Sequence, residues 1–327
     1  MKDGMIFASA RAKAKELNLF TEERLHRMME SKTIEDAVRL LAEVNYAGGM
    51  PIDKDNFYEA LVEEEKQATD FVKSCAPKGL GIECFFLRND YHNLKVLIKA
   101  KYANISDLSV MILPDGNYSF EELSDKVENN KLSFVNSFMS DAVKAIDKAF
   151  ETGNCSPRKI DTEIDKAMYK EINVILNQKT TDKYIKKYFA TQIDAINIGT
   201  LLRTIAINAN FAFFEENFIE GGEIGLYSFK ECGTDEQKLA KFIDGTSYKN
   251  FYAKITDGDL SEFETAKDNF LLQIFAVNKG DMFSVAPIVG YYLAKLNEVK
   301  VIRVVLVCIK NGVPYEEMRK RVRALYA

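Results

Sequence analysis

Three stretches of this chain repeat at a fixed interval of 104 residues. They are Asp90-Tyr91-His92-Asn93-Leu94-Lys95, Asp194-Ala195-Ile196-Asn197-Ile198-Gly199 and Glu298-Val299-Lys300-Val301-Ile302-Arg303, beginning at 90, 194 and 298. A fixed period constrains a fold more than any local preference, because each copy has to bury the same face. Four positions coincide as an i, i+3, i+4, i+7 set: Leu94/Ile198/Ile302, Leu97/Leu201/Val305, Ile98/Leu202/Leu306 and Lys101/Ile205/Ile309. That is the inward stripe of an amphipathic helix, polar only at Lys101. Each copy opens on an acid, Asp90, Asp194 or Glu298.

The flanking sequence is helical throughout. With 17 Gly and 6 Pro in 327 residues, breakers are scarce and long helices are easily accommodated. Thr21 and Thr33 stand as N-caps ahead of helical runs, and further helices are expected over about 5–20, 54–74, 120–151 and 158–177. Breaks fall at Ala76-Pro77-Lys78-Gly79, Pro114-Asp115-Gly116-Asn117, Gly153-Asn154-Cys155-Ser156-Pro157, Gly221-Gly222-Glu223-Ile224-Gly225, Thr256-Asp257-Gly258-Asp259 and Gly312-Val313-Pro314. A basic helix to Ala327 closes the chain. No stretch alternates strictly, so the expected class is all-α. It is built as three pseudo-symmetric helical units, 1–117, 118–225 and 226–327, packed as one body.

Formal net charge is −5 with no basic stripe, which argues against a nucleic-acid partner. No apolar run reaches the length needed to span a bilayer, and the N-terminal residues lack the apolar core of a signal peptide. The five cysteines are scattered and never spaced as CxxC, as for small hydrophobes in a reducing cytosol.

Motifs for chemistry are missing. There is no phosphate-cradling G-x-x-x-x-G-K-[ST] and no G-x-S-x-G. His26 and His92 do not make a metal cluster or a catalytic pair, so no cofactor, metal or catalytic residue is expected. Gly221-Gly222-x-x-Gly225 follows a helix and reads as a C-cap and turn. Asp90, Asp194 and Glu298 lie on the apolar side, where a carboxylate is costly unless it is paired or accepts backbone N–H bonds near a helix start. One active site does not need three copies, so the structural reading is favoured. A helical hydrolase using these acids, or a free-standing helical scaffold, are the alternatives. Lys95, Lys99, Arg203 and Arg303 fall on the other side of the helices, either as a solvated face or as a surface for an acidic partner.

The first repeat, with Asn93 inside it, resembles the signature of the C subunit of the V-type (archaeal-type) rotary ATPase, a relative of the eukaryotic d subunit. Phe7-Ala8-Ser9-Ala10-Arg11 is similar to that family's opening helix. Glu220-Gly221-Gly222-Glu223 is similar to its turn after the second copy. Pro287-x-x-x-Tyr291-Tyr292-x-x-Lys295-x-x-Glu298 and Asn311-Gly312-Val313-Pro314-x-Glu316-Glu317-x-Arg319 are similar to its C-terminal signature. Val301 departs from the pattern, standing where the other copies have Asn93 and Asn197. The resemblance implies a funnel-shaped, non-catalytic rotor component (central stalk) on the cytoplasmic side of the membrane. Its partners would be the D and F subunits of the central axle and the membrane ring of proteolipid subunits, and it would transmit torque between ATP turnover and proton or sodium-ion transport. It also makes Lys95, Lys99, Arg203 and Arg303 candidates for a basic socket that grips the axle.

Overall fold

The structure, a computed structural model, describes residues 2–103, 105, 107–108, 111–134, 136–253, 260–322 and 325. The expected turn at Thr256-Asp257-Gly258-Asp259 lies outside the described residues, and the basic helix expected to run to Ala327 instead ends at Arg321, where Val322 is extended. Among the described residues sixteen α-helices carry the chain and no strand is present, in keeping with the all-α expectation.

The first four helices are α1 (Lys2–Glu16), α2 (Glu22–Met29), α3 (Ile34–Ala42) and α4 (Phe57–Cys75). Next come α5 (Cys84–Ala103), α6 (Phe120–Glu128), α7 (Ser137–Glu151), α8 (Pro157–Leu176) and α9 (Lys183–Ala206). They are followed by α10 (Phe211–Glu215), α11 (Leu226–Cys232), α12 (Glu236–Asp244) and α13 (Lys249–Tyr252). The last are α14 (Leu260–Ala276), α15 (Ala286–Lys310) and α16 (Tyr315–Arg321).

Local chemistry sets the helix starts. Thr21, Thr33, Ser119, Asn136, Ser156 and Asp235 each accept a first-turn backbone N–H through the side chain. The single helix expected over 120–151 is broken. Asn130 turns left-handed at φ 53°, the Asn129 side chain donates back to Asp125 O, and Asn136 caps a new helix.

Contacts divide the chain into two compact units. The first joins Met1–Lys78 to Glu264–Ala327, and the second is Gly79–Phe263. In the first unit α15 is the centre, with α1, α2, α3, α4 and α16 packed around it. Leu25, Met28, Leu41 and Phe57 meet Ile302 and Leu306 there, all buried. Each such side chain taken from water stabilises by about 1.5–3 kcal/mol. In the second unit α8 packs against both α5 and α7, and α10 lies on α9. Lys101 is exposed and ion-paired with Asp147, so in the first repeat the buried stripe stops at Ile98.

Candidate functional site

The three repeated acids do not sit at helix starts. Asp90, Asp194 and Glu298 lie well inside α5, α9 and α15, and are 0%, 0% and 2% exposed. The α-helix extends N-terminal to each repeat because the preceding residues (Phe86 and Leu87, Ile193, Ile288 and Val289) are also apolar and buried. A buried carboxylate in mid-helix needs partners from elsewhere in the chain.

Asp90 takes its partners from the segment that leads into α6. Its Oδ2 accepts from Asn117 N at 3.0 Å and Asn117 Nδ2 at 2.8 Å, and its Oδ1 accepts from Tyr118 N at 3.0 Å. The rest of the signature serves the same loop. Asn89 donates to Pro114 O at 2.7 Å. His92 Nε2 is 2.9 Å from the Met111 carbonyl, which can only accept, so this nitrogen carries the proton. Asn93 makes a two-way clamp, donating to Leu113 O and accepting from Leu113 N, both at 2.8 Å. Sequence reasoning leaves His92 without a role; its role is this loop contact. Tyr91 points elsewhere, donating to Glu171 on α8 at 2.6 Å.

The second copy repeats the device. Asp194 accepts from Glu223 N at 2.9 Å, Ile224 N at 3.0 Å and the Tyr248 hydroxyl at 2.5 Å. Asn197 clamps Ile219 through both its backbone groups, at 2.8 and 3.0 Å. Gly221-Gly222 is therefore not a helix C-cap. A Cβ on Gly222 would overlap Asp194 Oδ1, and a Cβ on Gly116 would overlap Asp90 Oδ1 in the same way. Glycine is needed at both because the backbone has to come close to a short acid.

The third acid closes on the other end of the chain. Glu298 Oε2 accepts from Phe20 N at 2.6 Å, and its Oε1 accepts from Lys295 Nζ at 2.8 Å. Phe20 precedes Thr21, the N-cap of α2, just as Tyr118 precedes Ser119 and Ile224 precedes Gly225, the N-caps of α6 and α11. The three anchors thus hold equivalent points. Two residues before the held amide the first copies have Gly116 and Gly222, whereas the third has Asn18. The third acid is a glutamate, one methylene longer than the two aspartates. Five residues before the held amide lie Leu113 and Ile219, both in loops, but Lys15 in α1. A helical residue has its backbone already bonded, so no Asn clamp is required, and Val301 joins the apolar cluster instead.

Lys295, 2% exposed, also reaches Glu64 on α4 at 2.9 Å. Glu64 in turn accepts from Ala47 N at 2.6 Å. The Tyr46 ring lies under Lys295 Nζ, 5.0 Å from it, and its buried hydroxyl faces the Glu298 carboxylate; burial first, and then the negative charge of Glu298 and Glu64, push its pKa well up. Burial raises the carboxyl pKa of all three anchors, and the bonds from Tyr118 and Asn117, Tyr248 and Ile224, and Lys295 respectively oppose that rise. Burial pushes the Lys295 ammonium down, but Glu298 and Glu64 more than reverse it, so it stays charged.

Asp90 and Asp194 have both oxygens taken by amides or a tyrosine and no exposure. Neither can meet a substrate, and the arrangement is that of a fastening. The basic residues are on the half-open side. Lys95 pairs with Asp165 and Lys99 with Asp161, both at 2.6 Å, forming a two-step ladder from α5 to α8. Arg303 pairs with Glu65 on α4 at 3.2 Å, and Arg203 is exposed on α9. The structure therefore does not gather the four into one cluster within a unit. The Lys295–Glu298 spacing of three residues on an apolar helix face is the sequence signal for the buried pair; Glu64 gives none beyond its place in an acidic run.

Comparison with known proteins covers the same span as these fastenings. The family model of the ATP synthase (C/AC39) subunit matches residues 8–321. The chain is similar to the V-type sodium ATPase C subunit of Enterococcus hirae, 23% identical over 96% of this chain and 96% of that protein. It is similar as well to the A-type ATP synthase C subunit of Thermococcus kodakarensis, 24% identical over 96% and 89% of the two chains. The corresponding protein of Thermococcus onnurineus is 25% identical over 97% and 89%. Among the described residues no helix is long and apolar enough to cross a membrane. With its match running from the first helix to the last, the chain belongs to the ATP synthase (C/AC39) subunit family.

Proposed function

We propose that this protein is the non-catalytic rotor adaptor of a V-type rotary ATPase or ATP synthase. In this reading it seats the end of the axle formed by the D and F subunits and stands on the membrane proteolipid ring at the cytoplasmic side, passing torque between ATP turnover and ion transport. The observation that carries it is the end-to-end match to C subunits of such complexes, one of them named as part of a sodium ATPase. The buried anchors support it physically. A part that carries torque has to be stiff, and each anchor ties a connecting segment to the middle of a long helix with charge-assisted bonds. The anchors recurring 104 residues apart also support three helical units, near 1–117, 118–225 and 226–327, arranged as a funnel about a pseudo-threefold axis.

We further propose that Lys95, Lys99, Arg203 and Arg303 form the basic lining that meets acidic residues of the axle. Lys95, Lys99 and Arg303 are already aligned by Asp165, Asp161 and Glu65, and half-exposed pairs of this kind leave the cations able to accept a second carboxylate. Such pairs contribute roughly 0–1 kcal/mol to folding. Reversal to glutamate also sets like charges against Asp165, Asp161 and Glu65, so the fourfold-reversed protein is first checked for its folded circular-dichroism spectrum and then tests binding. The experiment is a calorimetric titration of the purified protein with the purified D–F axle at two salt concentrations. Tight binding that weakens with salt and is lost in the reversed protein is expected. No binding by the folded wild-type protein overturns the adaptor reading, and equal binding by the reversed protein overturns the basic lining alone.

A further inference from the structure

The third anchor differs from the other two in ways that bear on motion. Asp90 and Asp194 hold segments 27 to 30 residues away, whereas Glu298 and Phe20 are 278 apart. While α1 stays packed on α15, residues 17–19 keep Phe20 near Glu298, so what weakens the third anchor is that it is made of fewer bonds. Asp90 and Asp194 each accept three hydrogen bonds and are seconded by an Asn clamp. Glu298 takes one backbone amide and otherwise depends on Lys295 and the facing Tyr46 hydroxyl, and has no Asn clamp beside it.

The same lysine reaches the far end of the α2–α3 segment. Glu298 holds Phe20, just before α2, and Glu64 holds Ala47, just after α3. Lys295 bridges the two carboxylates at 2.8 and 2.9 Å. At the Ala47 end the backbone is strained, with Asn45 at φ 56° and Ala47 at φ 50°, a left-handed conformation that non-glycine residues adopt at a cost. That turn is kept by the Glu64 bond. Two carboxylates share one buried ammonium, so removing it leaves both uncompensated.

We propose that residues 20–47, carrying α2 and α3, form a strap buckled at both ends by Lys295, which opens as one piece while the remainder of the protein stays folded. Apolar contacts of Leu25, Met28 and Leu41 hold the strap down between the buckles, and His26 touches Tyr315 of α16 at 2.8 Å. Opening is therefore a discrete sub-global event rather than fraying.

The test is native-state hydrogen exchange on the full-length protein, followed at single amides. The amides of Phe20, Ala47, α2 and α3 are expected to exchange in one cooperative step, faster than those of Tyr118 and Ile224. Lys295→Met should speed exchange at both Phe20 and Ala47 by at least about tenfold and leave Tyr118 and Ile224 unchanged. Glu64→Gln, which alters a side chain that touches Ala47 and not Phe20, keeps the idea exposed should Lys295→Met fail to fold. It should speed Phe20 as well as Ala47. If Glu64→Gln moves Ala47 alone, the ends are independent and there is no common buckle. If the strap exchanges only with the whole protein, there is no strap.

Discussion

Replacing Gly222 with alanine isolates what an anchor contributes. Gly222 has no left-handed backbone to explain its presence; the constraint is contact alone. A Cβ there would overlap Asp194 Oδ1 and come within 2.8 Å of its Cγ and 3.3 Å of Ile193 Cγ2. Restoring an ordinary contact of about 3.5 Å requires the loop to retreat by more than about 1 Å. The bonds from Glu223 N and Ile224 N, now 2.9 and 3.0 Å, would then pass out of hydrogen-bonding range. Each is a bond to a charged acceptor worth about 1.5–3 kcal/mol, so the loss comes to roughly 3–6 kcal/mol. Gly4→Ala is the control, since nothing lies within 4 Å of its Cβ and alanine favours the helix. Urea unfolding followed by circular dichroism should show a much lower midpoint for Gly222→Ala and no such drop for Gly4→Ala. Exchange of the Glu223 and Ile224 amides should rise in step. An unchanged midpoint with protected amides would refute the account of close approach.

Two further outcomes follow from the same geometry. Asn197→Leu, which copies the apolar third repeat, strands the Ile219 N–H and C=O; two buried unpaired groups at about 1–3 kcal/mol each predict a loss of roughly 2–6 kcal/mol in urea unfolding. A loss below what a surface substitution gives would sink the clamp. Burial holds the folded carboxyls of Asp90, Asp194 and Glu298 above their unfolded values. The folded protein therefore binds these protons more tightly, and their contribution to stability, full below the ordinary carboxylate range, is lost as pH rises through the raised values. Asp194→Asn should flatten that part of the stability–pH curve, and a slope equal to wild type contradicts the burial argument.

The helical class and the repeat are legible in the sequence because an i, i+3, i+4, i+7 stripe is a local signal that survives three copies. That the acids fasten loops is half legible, since their burial and need for amides can be read from the stripe. Their position in mid-helix cannot, because it depends on how far apolar residues run on the N-terminal side. Gly222 reads as a C-cap in sequence, since a glycine after a helix looks the same whether it frees φ or admits a carboxylate. Glu64 is invisible, because its pairing with Lys295 depends on α4 folding beside α15. The partners Asp165, Asp161 and Glu65 of the basic residues are hidden for the same reason.

The distance in sequence between Phe20 and Glu298 also sets an order of events during synthesis. The segments held by Asp90 and Asp194 follow their helices and emerge from the ribosome soon after them. Phe20 is made at the beginning and waits for α15 until the end. At 5–20 residues per second that wait is about 15–60 s. For all of it the apolar faces of α2, α3 and α4, with Leu25, Leu41 and Phe57, have no α15 to cover them. The nascent N-terminal third is thus the part of this chain that a cell has to shield, and a transcript cut short before α15 yields a product with that surface permanently bare.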